Sequence, residues 1–431
     1  MHDDLRQKAD AARTAALAMQ SLSGRDKNDV LERIAAALER ETDAIERENA
    51  QDLADGQSSG LPGPLIKRLR FDRPRIQAAA AGLRDLIRLP DPVGSTLMAR
   101  RLAEGLDLYR VACPIGVIGV IFESRPDALV QISSLCLKSG NAVLLKGGSE
   151  AARTNRILAD TIQAATAGTL VPAGWIGLLE SREEVGRLLE MDDRVDLLIP
   201  RGSNAFVRYI MDHTRIPVLG HADGVCHTYV DRTADPDMSL RVCLDAKTQY
   251  VAVCNATETI LVHREIAPVL VPALASALSS AGVELFGDET VQAMTGCLPA
   301  GDWHTEYLDY KVSVRVVEGL EEAIDHINRY GSRHTDAILT EDREAAQRFM
   351  AQVDSGNVFW NCSTRFSDGF RYGFGAEVGV STSKLHARGP VGLEGLMTYK
   401  YKLVGHGDTV GDFASGDRAF LHRDLDETCP F

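Results

Sequence analysis

Paired cysteines are missing from this chain. Its eight thiols, at positions 113, 136, 226, 243, 254, 297, 362 and 429, are dispersed with no CxxC spacing, which argues against both a disulfide framework and a zinc site. Aromatic residues are scarce at 6%, yet a hydrophobic fraction of 45% can build an ordinary soluble core. No apolar run is long enough to span a bilayer, so no membrane partner is expected. Charge from Asp3 onward leaves no signal peptide, which makes the cytoplasm the expected compartment. A net charge of −14 argues against nucleic acid or an anionic membrane as partner. An anionic ligand must therefore be met by local cations working against the global field.

The 431 residues favour two or three domains. Residues 1–93 read as helices, with Val30, Leu31, Ile34, Leu38 and Ile45 forming an apolar stripe at helical spacing. Residues 94–114 read as a β-hairpin around Glu104-Gly105, an exposed ribbon that needs a partner to be stable. From 115 a βα alternation takes over. Gly116-Val117-Ile118-Gly119-Val120-Ile121-Phe122 is an apolar run of the kind covered on both faces, and Pro126 opens the next helix. Ala142 to Lys146, 176–179 and 195–199 continue the series, which predicts a doubly wound sheet over 115–225. A second αβ series makes 226–390 a separate domain. Residues 391–412 are expected to return to the hairpin, and the Gly- and Asp-rich tail, 413–431, to be flexible.

Cys254 is the most informative residue. A helix-like stretch from Asp237 to Leu244 precedes it, and the alternating strand pattern Thr257 to His263 follows. A thiol where helix gives way to strand sits beside backbone N–H groups that lower its pKa and can hold an oxyanion. The competing reading is a buried structural cysteine. No GxGxxG motif is present, and Gly116 and Gly119 fall inside a strand, where they ease packing. The useful group is Lys146-Gly147-Gly148-Ser149, at the strand end that meets an adenine ribose; a cation there accommodates a 2′-phosphate and favours NADP over NAD. A solvated lysine is the alternative. Gly202-Ser203 suits either a pyrophosphate-facing helix start or a simple N-cap.

Residues 116–126, residues 139–148, the Cys254 loop and the run Val380-Ser381-Thr382-Ser383-Lys384-Leu385-His386-Ala387-Arg388-Gly389-Pro390 together resemble the gamma-glutamyl phosphate reductase family. These glutamate-5-semialdehyde dehydrogenases form part of the aldehyde dehydrogenase superfamily, and the likeness runs from residue 5 to 405. It implies an α/β, aldehyde dehydrogenase-like fold: two doubly wound α/β domains plus a small β oligomerisation arm. It also implies NADP(H) as cofactor, a homo-oligomer (dimer or tetramer), and Cys254 as nucleophile. Lys146, Gly202, Ser203 and Glu306 fall where the superfamily contacts the cofactor, Glu306 at the nicotinamide ribose.

Two departures from the wider superfamily carry chemistry. Hydrolytic members have a Glu-Leu-Gly-Gly motif whose acid activates water; here the sequence is Val218-Leu219-Gly220-His221. Where they place an oxyanion-hole Asn, this chain has Ser124. Losing a general base costs deacylation by water about 10²–10⁴-fold, so an acyl phosphate becomes the expected route in. The resemblance then implies attack of Cys254 on L-glutamyl 5-phosphate, with the oxyanion on the Cys254 N–H aided by Ser124 or Asn255. The acyl phosphate would come from a separate glutamate 5-kinase. For the substrate, Asn361, Cys362, Ser363, Thr364 and Arg365 follow the apparent strand Asn357 to Trp360; Arg365 suits the α-carboxylate and Arg125 the phosphate, or each is a structural ion-pair partner. Cys362 reads as packed. No metal is expected. A hydrolytic aldehyde dehydrogenase and a non-catalytic binding protein are the rival readings; Val218 counts against the first and the Lys247–Cys254 run against the second.

Overall fold

A computed structural model describes residues 2–123, 125–202, 204–220, 223–375 and 377–431, with the side chains of His2, Asp3, Pro64 and Arg182 left outside the description. The expected site residues Ser124 and Ser203 lie outside the described residues.

Two parallel sheets carry the molecule. The first runs in the order Ile176–Leu179, Ala142–Lys146, Val117–Phe122, Leu197–Arg201. Successive side chains of Val117–Phe122 point to opposite faces. Ile118, Val120 and Phe122 join the core under the helices Gly24–Arg40, Arg73–Arg88 and Pro126–Lys138, while Val117 and Ile121 meet Leu5, Ala9 and Ala12 of the first helix. Both faces are covered, so the strand has no polar side. Gly119 lies inside it, as expected: a Cβ there would sit 2.6 Å from Leu198 Cδ2. The helices begin where side chains take up free N–H groups. Ser23 and Asp26 form a reciprocal capping box, Asp72 accepts from the Arg75 N–H, and Pro126 opens its helix.

The second sheet is parallel and seven-stranded, in the order Leu298–Pro299, Glu284–Gly287, Lys311–Val317, Thr257–His263, Cys226–Val230, Thr335–Leu339, Asn357–Trp360. Val230, Ile260 and Val312 face the helices Pro236–Thr248 and Ala267–Ser280, and Tyr229, Leu261 and Ile338 face Leu320–Tyr330 and Arg343–Gln352. The segment Thr257–His263, read from its alternation as a strand, is one; all seven of its residues are buried, because the strand is central and covered on both sides.

The third layer is an antiparallel arm. Thr96–Ala103 and Leu106–Pro114 form the hairpin, turning at Gly105 with φ +78°. Met397–Val404 pairs along Leu106–Pro114, from Met397 opposite Pro114 to Val404 opposite Asp107. The expectation of a flexible tail needs correction. Arg423–Asp424 pair with the outer edge of Thr96–Ala103, and Leu425 and Cys429 pack against Ala99, Tyr109 and Val111. The hairpin edge offers unpaired backbone groups and a small apolar face, and the chain end satisfies both: the Leu421 N–H donates to Leu102 O and the Leu425 N–H to Ala99 O.

Candidate active site

The Cys254 turn is fixed from both ends. Asp235 caps the helix Pro236–Thr248 through the Met238 N–H, and the chain then turns and re-enters the second sheet as its central strand. Half-buried, Cys254 sits in that turn, which the Ala256 N–H closes on Val253 O at 3.1 Å. The Asn255 side chain is buried; its Nδ2 donates to Ser367 O at 2.7 Å, and its Oδ1 has no partner. The Cys226 thiol lies 3.1 Å from Cys254 O, and burial pushes that thiol well above its usual pKa. Cys226 is therefore packing rather than a second nucleophile.

A buried ion pair clamps the turn. Lys247 Nζ lies 2.6 Å from Glu258 Oε2, with both side chains fully buried. The Leu308 N–H donates to the other carboxylate oxygen at 3.2 Å. Burial drives both groups toward their neutral forms, Lys247 downward and Glu258 up to about 7. The residues before Cys254, those after it and the loop carrying Glu306 are thus held by one pair.

Glu306 is brought near Cys254 by Gly224. The Gly224 N–H donates to Glu306 Oε1 at 2.9 Å, and Asn204 Nδ2 donates to Oε2 at 2.6 Å. A Cβ on Gly224 would lie 2.3 Å from Cys254 O and 2.6 Å from its Cβ, so only glycine fits between them. Asn204 opens the helix Asn204–Asp212 two residues after Gly202. Asn204 and Glu306, far apart in sequence, are therefore brought together next to Gly224, which packs on Cys254.

The other expected cofactor residues line the end of Ala142–Lys146. Lys146 is buried and its Nζ donates to Gly147 O; Ser149 is exposed at the start of a short 3₁₀ turn. A Cβ on Gly147 would lie 2.0 Å from Asn155 Nδ2, and Asn155 Oδ1 is buried without a partner. A side-chain-free loop over an unmatched polar atom, at the carboxyl end of a parallel strand, fits a nucleotide.

The expected substrate residues divide by what their side chains bond. Asn361, at φ +54°, accepts the Thr340 N–H and donates to Thr340 O. Ser363 Oγ accepts the Arg365 N–H at 3.3 Å, and Thr364 Oγ1 lies 3.2 Å from Thr257 Oγ1. These three fix the loop that presents Arg365. The Arg365 guanidinium is buried, donates from Nε to Gln249 Oε1 at 3.0 Å, and has its carbonyl held by Arg371. Arg125 stands at the N-cap of Pro126–Lys138, paired with Asp127 at 2.9 Å. A cavity of about 340 Å³ opens beside it, lined in part by Arg75, Leu83, Gln131 and Phe370. Cys362 is half-buried, and desolvation raises its pKa.

Sequence reading took Arg201 only as part of the run Pro200-Arg201-Gly202-Ser203 and gave its charge no role. It ends the strand Leu197–Arg201, paired in register with Phe122, and is half-buried. Burial, and after it the nearby charge of Arg125, pull its pKa down, while Glu377 and Cys254 act in the opposite sense. Arg365 is likewise lowered by burial and then by Arg371, against the pull of Cys254. Cations thus approach the thiol from both sheets of a protein whose net charge is −14. Such a setting can hold an anion beside the thiol.

A half-buried thiol with cations near it from both parallel sheets, and an acid and a glycine at its side, fits a cysteine-dependent, nicotinamide-linked oxidoreductase. The aldehyde dehydrogenase family model matches residues 1–295. A gamma-glutamyl phosphate reductase of Pelotomaculum thermopropionicum is 59% identical over 426 residues, covering 98% of each chain. One from Acetivibrio thermocellus is 60% identical over 406 residues, covering 94% of each. The crystal structure of the Thermotoga maritima gamma-glutamyl phosphate reductase superposes with a TM-score of 0.92 at 37% identity, covering 94% of this chain and 99% of that one. The chain belongs to the aldehyde dehydrogenase family, in its gamma-glutamyl phosphate reductase group. Among the described residues no helix is long and apolar enough to cross a membrane.

Proposed function

We propose that this protein reduces L-glutamyl 5-phosphate with NADPH to L-glutamate 5-semialdehyde and phosphate, the second step of proline synthesis from glutamate. The product closes to 1-pyrroline-5-carboxylate. The observation that carries the reading is a cation-flanked Cys254 in a site where Val218 stands in place of a base. Val218 forms a parallel bridge to Leu198 and packs against the apolar cluster that holds Leu198, Ile210 and Ile216, and its own side chain can accept no proton from water.

The Cys254 thiolate attacks the γ-carbonyl; a C–S bond forms, the C–O bond to phosphate breaks, and the thioester remains. The oxyanion rests on the Cys254 N–H, and Asn255 Nδ2, which spends one N–H on Ser367 O, keeps a second for it. Ser124 shares this role by its position in the sequence. When bound, NADPH supplies the hydride that takes the thioester to the aldehyde. Glu306 with Gly202 and Ser203 holds the nicotinamide half, and Lys146, Gly147 and Ser149 the adenosine half, where the lysine favours the 2′-phosphate. Arg365 serves the α-carboxylate, Arg125 adds positive charge at the phosphate end, and Asn361, Ser363 and Thr364 set the Arg365 loop. The protein works in the cytoplasm as a homo-oligomer joined through its β arm, supplied with acyl phosphate by a separate glutamate 5-kinase.

The test runs the reaction backward, with glutamate 5-semialdehyde and NADP⁺, with and without phosphate, following NADPH absorbance. Sustained turnover should require phosphate, stop after at most one equivalent without it, prefer NADP⁺ over NAD⁺, and vanish in Cys254→Ala. Sustained NADPH production without phosphate would replace this reading with a hydrolytic dehydrogenase.

A further inference from the structure

We infer that Arg201 is the residue that grips the phosphoryl group of the acyl phosphate and steadies it as the leaving group. The inference rests on the function proposed above.

The cations at the site differ in what they already hold. Arg125 is paired with Asp127, Arg365 Nε is bonded to Gln249, and Arg371 is bonded to the Arg365 carbonyl. Arg201 donates no hydrogen bond and makes no ion pair within 4.0 Å among the described residues. A half-buried guanidinium carries five N–H donors, and leaving them unmatched costs free energy that a bound anion recovers. The acid nearest in charge, Glu377, does not neutralise it: one carboxylate oxygen accepts the Gly369 N–H at 2.8 Å, and burial raises its pKa.

Position selects phosphate over the other anionic end of the substrate. Arg201 stands at the carboxyl end of its strand beside Phe122, and its Nε lies 4.0 Å from where a Cβ on Gly379 would be. The guanidinium therefore spans the cleft between the first sheet and the loop leading into Gly379–Ser381. Its charge interacts with that of Cys254, as a group beside the scissile bond must. When sulfur adds to the γ-carbonyl, the bridging oxygen leaves with the bonding pair on phosphate, and the planar fork of an arginine matches two of its oxygens. The α-carboxylate lies three carbons further from the reacting carbon and is left to the buried Arg365.

The test uses the backward reaction, in which phosphate is a substrate. Arg201→Gln and Arg201→Lys are compared with the wild type at several concentrations of inorganic phosphate, with thermal melts to confirm folding. Arg201→Gln should raise the KM for phosphate about ten- to hundredfold, with the KM values for semialdehyde and NADP⁺ near wild type. Arg201→Lys should fall between, since it keeps the charge but loses the fork. An unchanged phosphate KM in either folded variant would overturn the assignment, as would a rise confined to semialdehyde or NADP⁺. A wild type that turns over without phosphate would overturn the function itself, which separates the two failures.

Discussion

The two parallel sheets, one of four strands and one of seven, are built from different materials. In the first, Val117–Phe122 and Ala142–Lys146 are buried throughout, and Lys146 at the strand end is their one charged member. In the second, His227, Thr228, Thr257, Glu258, Thr335 and Asp336 are all buried on the central strands. Those groups answer one another. The His227 N–H and ring bond to Asp336, Thr228 bonds to Thr257 and Thr257 to Thr364, and Glu258 bonds to Lys247. The first sheet needs only shape, so apolar packing suffices to present the ends of its strands. The second must hold one thiol and an arginine loop in a set geometry, and directional bonds in a low-dielectric interior do that at the cost of intolerance to single changes.

Breaking the buried pair should give the largest effect. Lys247→Met leaves Glu258 uncompensated and should destabilise the protein by about 3–5 kcal/mol in urea unfolding near pH 8. The loss should shrink toward pH 5, because a carboxyl with a pKa near 7 takes up a proton there. The double variant Lys247→Met/Glu258→Gln should recover most of the stability; equal losses in single and double variants would mean that the pair is not the clamp. Thr257→Val keeps the shape but strips a hydroxyl from Thr228 and Thr364, and should cost about 1–3 kcal/mol. Ile118→Val, the matching change in the apolar sheet, should cost only about 0.5–1.5 kcal/mol and leave kcat near wild type. If the two conservative changes cost the same, the contrast between the sheets fails.

The smallest effect belongs to an exposed cluster. Asp354 pairs with Lys384 at 2.7 Å and Arg388 at 3.0 Å, and the Lys384 bond first, then that of Arg388, holds its carboxyl below the usual 3.8. A depressed folded-state pKa means the contribution is full above the unfolded value and fades as pH falls through the folded one. Because the group is a third exposed, its worth is below about 1 kcal/mol. The stability gap between wild type and Asp354→Asn should therefore narrow between pH 5 and 3 in urea midpoints, and a gap independent of pH would refute the role.

What was legible in the sequence follows the same division. The apolar sheet was readable because its signal is local: continuous runs between glycine and proline, and helices announced by caps. Cys254 was readable because a helix pattern and a strand pattern flank it. The partners of the polar sheet were not. Glu258 alternates with threonines as a surface residue would, and nothing local says that Lys247 sits on it. Arg201 looks like part of a loop, since its surroundings come from residues near 125, 254 and 377. The tail misled because aspartates such as Asp424 mark a loop by composition, yet a two-residue strand is fixed by its neighbour rather than by its own composition.

Gly224 has a mechanical consequence. It lies where the chain passes from the first sheet, last bonded through the Leu219 N–H to Leu198 O, to the second, which begins at Cys226. Its Cα rests on Cys254 and its N–H on Glu306. This crossing between the halves and the Cys254 turn are thus almost the same place. Points on a turning body travel in proportion to their distance from the pivot. Any rocking of one half against the other about this crossing would sweep the rims of the cleft widely and the sulfur hardly at all. Ligands could come and go through a widening mouth while the Cys254 thiol keeps its place.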